Sequence, residues 1–300
     1  MNDVIIQIAP IILTFLLAYL LKVFHVFKES TGESLLKIVF YISIPALLID
    51  VLRDISLEKE LLLLPLSAII CALITFIVSY LISKHLKLKS TTSGTFLIGV
   101  LMMNIGFLYP FFINSFGPEG VAKLALFDFG NTIVIYSLAY YIAHKKGRGK
   151  KENNLFIKKF LLSPPIWGLL IGLFLNISNT QVPLSIDNFI SSIAATTSPL
   201  IILSLGFYFN HKISGRKLVS LGIFLRMGLG LLIGVMLSYL FKLEGLMQVA
   251  VILGSAAPIA FMTLTFSSIE KLDVKFAANL VSYSILAGMI ITPLLIVAIK

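Results

Sequence analysis

The chain is predicted to be an all-α polytopic membrane protein, and three observations carry that prediction. Of its 300 residues, 58% are hydrophobic and only 13% are charged. A water-soluble domain cannot bury that much apolar surface and still present a charged exterior; a protein whose solvent is lipid can. Apolar runs of roughly 17–25 residues recur along the whole length, long enough to cross a bilayer as helices. The basic residues gather in alternate connections between those runs instead of forming one continuous face. That distribution excludes a nucleic-acid partner despite a formal charge of +10.

Hydropathy divides the chain into ten spans, approximately 4–24, 34–52, 61–83, 92–116, 121–143, 160–177, 187–210, 216–241, 246–269 and 274–299. The first is read as a span and not as a cleaved leader, because Met-Asn-Asp-Val-Ile-Ile lacks a basic n-region. The odd-numbered connections hold 18 of the 24 Lys and Arg residues, and the even ones with the termini hold 5. Arg226, well inside a span, completes the 24. Basic loops stay on the cytoplasmic side, so both termini are expected outside and the basic 144–159 loop inside, with the protein in the cell (inner) membrane.

The fourth span carries Met103-Asn104-Ile105-Gly106-Phe107-Leu108-Tyr109-Pro110. Pro110 has no N–H, and Gly106 adds no side chain to stiffen a helix. In lipid the freed backbone groups must find internal partners. The expectation is a helix broken at mid-membrane, with the second half-helix starting near Pro110. The ninth span repeats the recipe with Gly254-Ser255-Ala256-Ala257-Pro258, and its second half is expected to start near Pro258. Half-helix N-termini carry partial positive charge and favour anions.

An internal repeat links the two breaks. Pro10 and Pro45 lie 154 residues before Pro164 and Pro199, and the same offset carries Asn104 onto Pro258. Asn131 in the fifth span is matched by Asn279 in the tenth. Each half holds five spans, an odd number, so the second half must enter the membrane inverted, as in transporters with a shared midplane site. The expected units are a first five-helix repeat (1–143), the basic loop (144–159) and a second, inverted repeat (160–300).

Asn104-Ile105-Gly106-Phe107-Leu108-Tyr109-Pro110 resembles the Asn-x-Gly-Phe-Leu-Gly-x-Pro signature of the auxin efflux carrier family. Phe127-Asp128-Phe129-Gly130-Asn131 and Ala256-Ala257-Pro258 are similar to that family's next two marks. Tyr109 stands where a glycine is common, and Pro110 follows one residue early. The short central loop is similar to the bacterial branch, related to PIN-type auxin transporters and to malate or malonate permeases. The resemblance implies ten helices in two inverted repeats, a crossing of broken helices four and nine as in proteins of the NhaA and bile-acid-symporter type, and transport of a small organic anion.

Ionisable groups inside lipid are costly and usually face a cavity. Arg226 is a candidate to neutralise an anion, with a carboxylate such as Asp128 or helix carbonyls as its alternative partners. Asp128 is a candidate for coupling to a proton or sodium ion. A cation antiporter of the same architecture is the rival reading, weakened because the neighbour one turn from Asp128 is the neutral Asn131. An intramembrane enzyme is disfavoured by the absence of His-Glu-x-x-His, Gly-x-Ser-x-Gly or a second intramembrane Asp. Substrate lining is assigned to Asn104, Gly106, Phe107, Tyr109, Pro110, Asn131, Ser255, Pro258 and Asn279. Asp50 and Arg53 read as solvated interfacial groups. The Gly168/Gly172 and Gly230/Gly234 pairs read as helix-packing positions. The single cysteine, Cys71, reads as a small core residue, and no cofactor or metal site is expected. A homodimer is left open.

Overall fold

The computed structural model describes residues 2–147, 161–208 and 216–299. Most of the expected 144–159 loop, and His211, lie outside the described residues. Within them the chain is helical, apart from one isolated β-bridge between Met103 and Ile259. Six stretches are long and apolar enough to cross a membrane, and four shorter apolar helices accompany them. This is a multi-pass membrane protein.

In chain order the helices are α1 (Asn2–Val23), α2 (Glu29–Ile38), α3 (Ile44–Leu52), α4 (Leu63–His85), α5 (Ser90–Leu101), α6 (Ile105–Val134) and α7 (Tyr140–Lys146). They continue as α8 (Pro164–Ile177), α9 (Leu184–Ala195), α10 (Thr197–Tyr208), α11 (Arg216–Ile223), α12 (Gly230–Leu240), α13 (Gly245–Ser255), α14 (Met262–Ile269) and α15 (Val274–Ile299). Single π-helical turns join α2 to α3, α6 to α7 and α11 to α12. α6 is two helices in one, parted at Gly117 with φ 64° and ψ −168°. Only glycine takes that conformation readily, and Pro118 starts the next segment at its preferred place.

Two sets of helices can be told apart, and they meet where α6 packs on α1, α3 and α10. α1, α2, α3, α8, α9 and α10 form one set: α3 lies on α8 and α9, and α10 lies on α1 and α2. The remaining helices form the other, with α6 against α4 and α13, and α15 against α11 and α14. The glycine pairs do what their spacing predicts. A Cβ on Gly168 would lie 2.6 Å from the Pro45 backbone, and one on Gly172 would lie 2.9 Å from the Leu48 carbonyl. Gly234 faces Ser255 and the Val251 carbonyl in the same way. The kinks before Pro45 and Pro199 touch, with Ser43 Oγ 2.8 Å from Thr196 Oγ1.

Asp50 and Arg53 are more than solvated interfacial groups. Arg53 bonds Asp50 (3.1 Å) and Asp54 (3.2 Å) and pairs with Asp187, and Ser191 donates to Asp50 (2.7 Å). The cluster ties the end of α3 to α9. The reason is tertiary: α9 brings Asp187, 134 positions along the chain from Arg53, and Ser191, 141 positions from Asp50, to a helix end that would otherwise face water.

Candidate functional site

Both expected breaks exist; the first lies before its proline, and the second contains its proline but ends later than expected. α5 stops at Leu101 and α6 starts at Ile105, so the first break is Met102–Asn104. Pro110 sits inside α6, where it removes one bond without ending the helix. The second break runs from Ala256 to Phe261 and contains Pro258; its second half-helix begins at Met262, not at the proline.

The breaks satisfy each other. Asn104 N–H donates to the Pro258 carbonyl (2.8 Å), and Ala260 N–H donates to the Met102 carbonyl (3.3 Å). This antiparallel pairing turns the N–H and C=O of Met103 away from Ile259. The Asn131 side chain takes both: its Oδ1 accepts from Met103 N–H at 3.2 Å and its Nδ2 donates to the Met103 carbonyl at 3.0 Å. Nδ2 also donates to Asp128 Oδ1 at 2.9 Å. Ile259 N–H donates to Ser284 Oγ on α15 (3.0 Å). Asn104 caps α6, its Oδ1 accepting from Phe107 N–H at 3.2 Å, and its Nδ2 points to the Ile259 carbonyl at 3.5 Å. A buried peptide without such partners costs about 1–3 kcal/mol per group, so these side chains are what permit the helices to open here.

A cavity of about 660 Å³ reaches this crossing. Asn104, Gly106 and Phe107 line it at the start of α6, and Phe261 and Met262 line it at the start of α14. Two helix N-termini therefore face one space. It lies between the two helix sets, with Tyr41, Ile201 and Leu205 on the far wall, and it extends along α2 to Glu33 and Lys37. On the opposite flank a smaller space of about 190 Å³ separates Asp50 and Ser191 from Gly117 and Pro118. A Cβ on Gly106 would meet only Asn104 Oδ1, at 3.6 Å, so the glycine leaves the cavity open and does not relieve a clash.

The other predicted residues divide by position. Tyr109 and Pro110 are buried within α6 and are not among the groups lining this cavity. Asn131 is 1% exposed and has its carbonyl oxygen and its amide nitrogen committed to Met103 and Asp128. Ser255 and Pro258 are buried and contribute backbone carbonyls, and Asn279 is buried on α15. Arg226 bonds helix carbonyls and no carboxylate among the described residues; Asp128 is bonded to Asn131 instead. Ser284, which accepts from Ile259 N–H in the second break, is the crossing residue that sequence reasoning missed. The repeat offset applied to Asn131 lands on Ile285, its immediate neighbour, so a signal was present.

A paired break closed by reciprocal backbone bonds inside a multi-pass helical protein suits solute transport. The model of the family described as membrane transport protein matches residues 3–296. The chain belongs to this family of transporters, the one its auxin-efflux-carrier motifs point to. Similar proteins occur in two archaea. A protein of Methanothermobacter thermautotrophicus is 28% identical over 295 residues, covering 96% of this chain and 95% of its own length. One of Methanocaldococcus jannaschii is 29% identical over 284 residues, covering 90% of each. Both carry the name uncharacterized transporter.

Proposed function

We propose that this membrane transporter is a secondary carrier of a small organic anion, such as malate, malonate or an auxin-like acid, working by alternating access. The observation that carries the reading is the cavity of about 660 Å³ onto which the starts of α6 and α14 both open. Each N-terminus is worth about half a positive charge, and the wall opposite them is apolar. In this proposal ten spans form two inverted five-helix repeats in the cell membrane, with both termini outside and the cavity open to the cytoplasm. The occupant meets Asn104, Gly106 and Phe107 first. Asn131 serves it indirectly, by holding Met103. Tyr109, Pro110, Ser255, Pro258 and Asn279 form the frame behind those groups.

A second reading, coupling to a proton or sodium ion through Asp128, has its own support. Asp128 reaches the crossing through one side chain, Asn131, so a change in its charge acts on the Met103 clamp. One experiment tests both. Purified protein in liposomes is given labelled mono- and dicarboxylates under separate pH, sodium and voltage gradients. Carboxylate accumulation is expected. Movement of protons or sodium with no carboxylate flux would replace the anion reading by cation antiport, and dependence on a pH or sodium gradient would identify the coupling ion.

A further inference from the structure

Arg226 is fully buried, on the π-helical turn Phe224–Leu229 between α11 and α12. Its Nη1 donates to the Val100 carbonyl in the last turn of α5 (3.0 Å). Its Nη2 donates to the carbonyl of Ser255, the last residue of α13 (2.6 Å), and approaches Cys71 Sγ at 3.6 Å. One guanidinium therefore holds the carbonyl ends of both first half-helices. Among the described residues no carboxylate pairs with it, so the counter-charge is the two helix ends. The site is shaped for this contact. A Cβ on Gly230 would strike the Ser255 carbonyl and lie 2.6 Å from Nη2.

The charges then sum simply. Each helix end carries about half an elementary charge, negative at the carbonyl end and positive at the N–H end. Without Arg226 the four ends at the crossing cancel, and a solute there meets no net field. With Arg226, the two carbonyl ends are offset by about one positive charge, and with Asp128 protonated behind Asn131 the N–H ends of α6 and α14 stand uncompensated toward the cavity; an ionised Asp128 offsets that charge from the far side of Asn131. The mouth does not undo this, because Glu33 and Lys37 pair with each other at 3.1 Å.

We propose that Arg226, without touching the solute, determines which charge the crossing accepts: it is a positioning residue that makes the cavity select carboxylates over their neutral analogues. The inference rests on the organic-anion reading above. A unit charge acting over roughly 10 Å at an effective dielectric of about 20 changes an anion's affinity by roughly tenfold. A residue that merely braced the helices would weaken charged and neutral ligands alike.

The test measures binding to purified protein in lipid nanodiscs for three pairs: malonate and malonamide, malate and malamide, indole-3-acetate and indole-3-acetamide. Wild type is expected to prefer the acid in at least one pair. Arg226→Gln keeps donors for the carbonyls and removes the charge; it should cut the acid-to-amide preference by roughly tenfold, while Arg226→Lys keeps most of it. Arg226→Met removes the charge and keeps an apolar stem of similar length, a replacement that buried charged groups often tolerate, so it should reduce the same ratio, and it serves if the Gln variant does not fold. An unchanged ratio in a folded Gln or Met variant, or equal losses for acid and amide, overturns the role of Arg226 and leaves the anion reading intact. Wild type that prefers no acid overturns the anion reading, and the inference with it.

Discussion

The two breaks occupy matching places in the two halves of the chain, yet they are held open by different means. The first is three residues long and is bonded by side-chain amides. Asn104 caps the helix that follows, and Asn131 grips both polar groups of Met103. The second is six residues long, contains its own proline, and has no side-chain cap on the helix that follows. Its Ile259 N–H depends on one hydroxyl, that of Ser284, and its carbonyls lean on Asn104. The difference teaches that two breaks can meet at one crossing while the first of them supplies most of the polar chemistry. Substitutions in the first half should disturb both breaks, and those in the second half only one.

That asymmetry can be broken by graded substitutions. The largest effect is expected for Asn131→Leu, which strands the N–H and C=O of Met103 in a buried place. At about 1–3 kcal/mol for each group, melting in detergent should show a loss of several degrees together with abolished uptake. Asn104→Ala should leave a folded protein in the membrane, about 1 kcal/mol less stable from the lost cap, yet unable to transport; normal uptake into proteoliposomes would remove Asn104 from the site. Ser284→Ala frees a single N–H and should cost about 1–2 kcal/mol with partial transport retained. A loss equal to that of Asn131→Leu would erase the proposed asymmetry. The smallest effect belongs to Pro110→Ala. Because Pro110 lies within α6, the new N–H can bond the Gly106 carbonyl, which offsets the ring atoms lost from a buried place, and stability should hold or rise by about 1 kcal/mol or less. A drop as large as that of Ser284→Ala would put the break back at Tyr109-Pro110.

Much of this was legible in the residues. Asn104, Gly106 and Pro258 mark two spans that cannot be ordinary helices, and the offset of 154 pairs them. The position of each opening was not legible. A proline shows where a helix is weakened, but the peptide that opens is the one whose freed groups find partners. For Met103 that partner is Asn131, 28 residues away, and for Met102 and Asn104 it is the strand-like stretch around Ile259. Arg226 shows the same limit. Its place inside an apolar span announced a buried charge, but a sequence does not say whether a guanidinium meets a carboxylate or a carbonyl.

By itself, then, the sequence determined the membrane class, the family and the two weak points, because these follow from composition and from local bonding rules that act within a few residues. The tertiary structure alone decided which peptides leave the helix, that α6 and α14 start on one cavity, and that Arg226 joins the ends of α5 and α13. Those outcomes depend on groups on different helices, from 25 positions apart for Ile259 and Ser284 to 126 for Val100 and Arg226, and only packing brings them within hydrogen-bond reach.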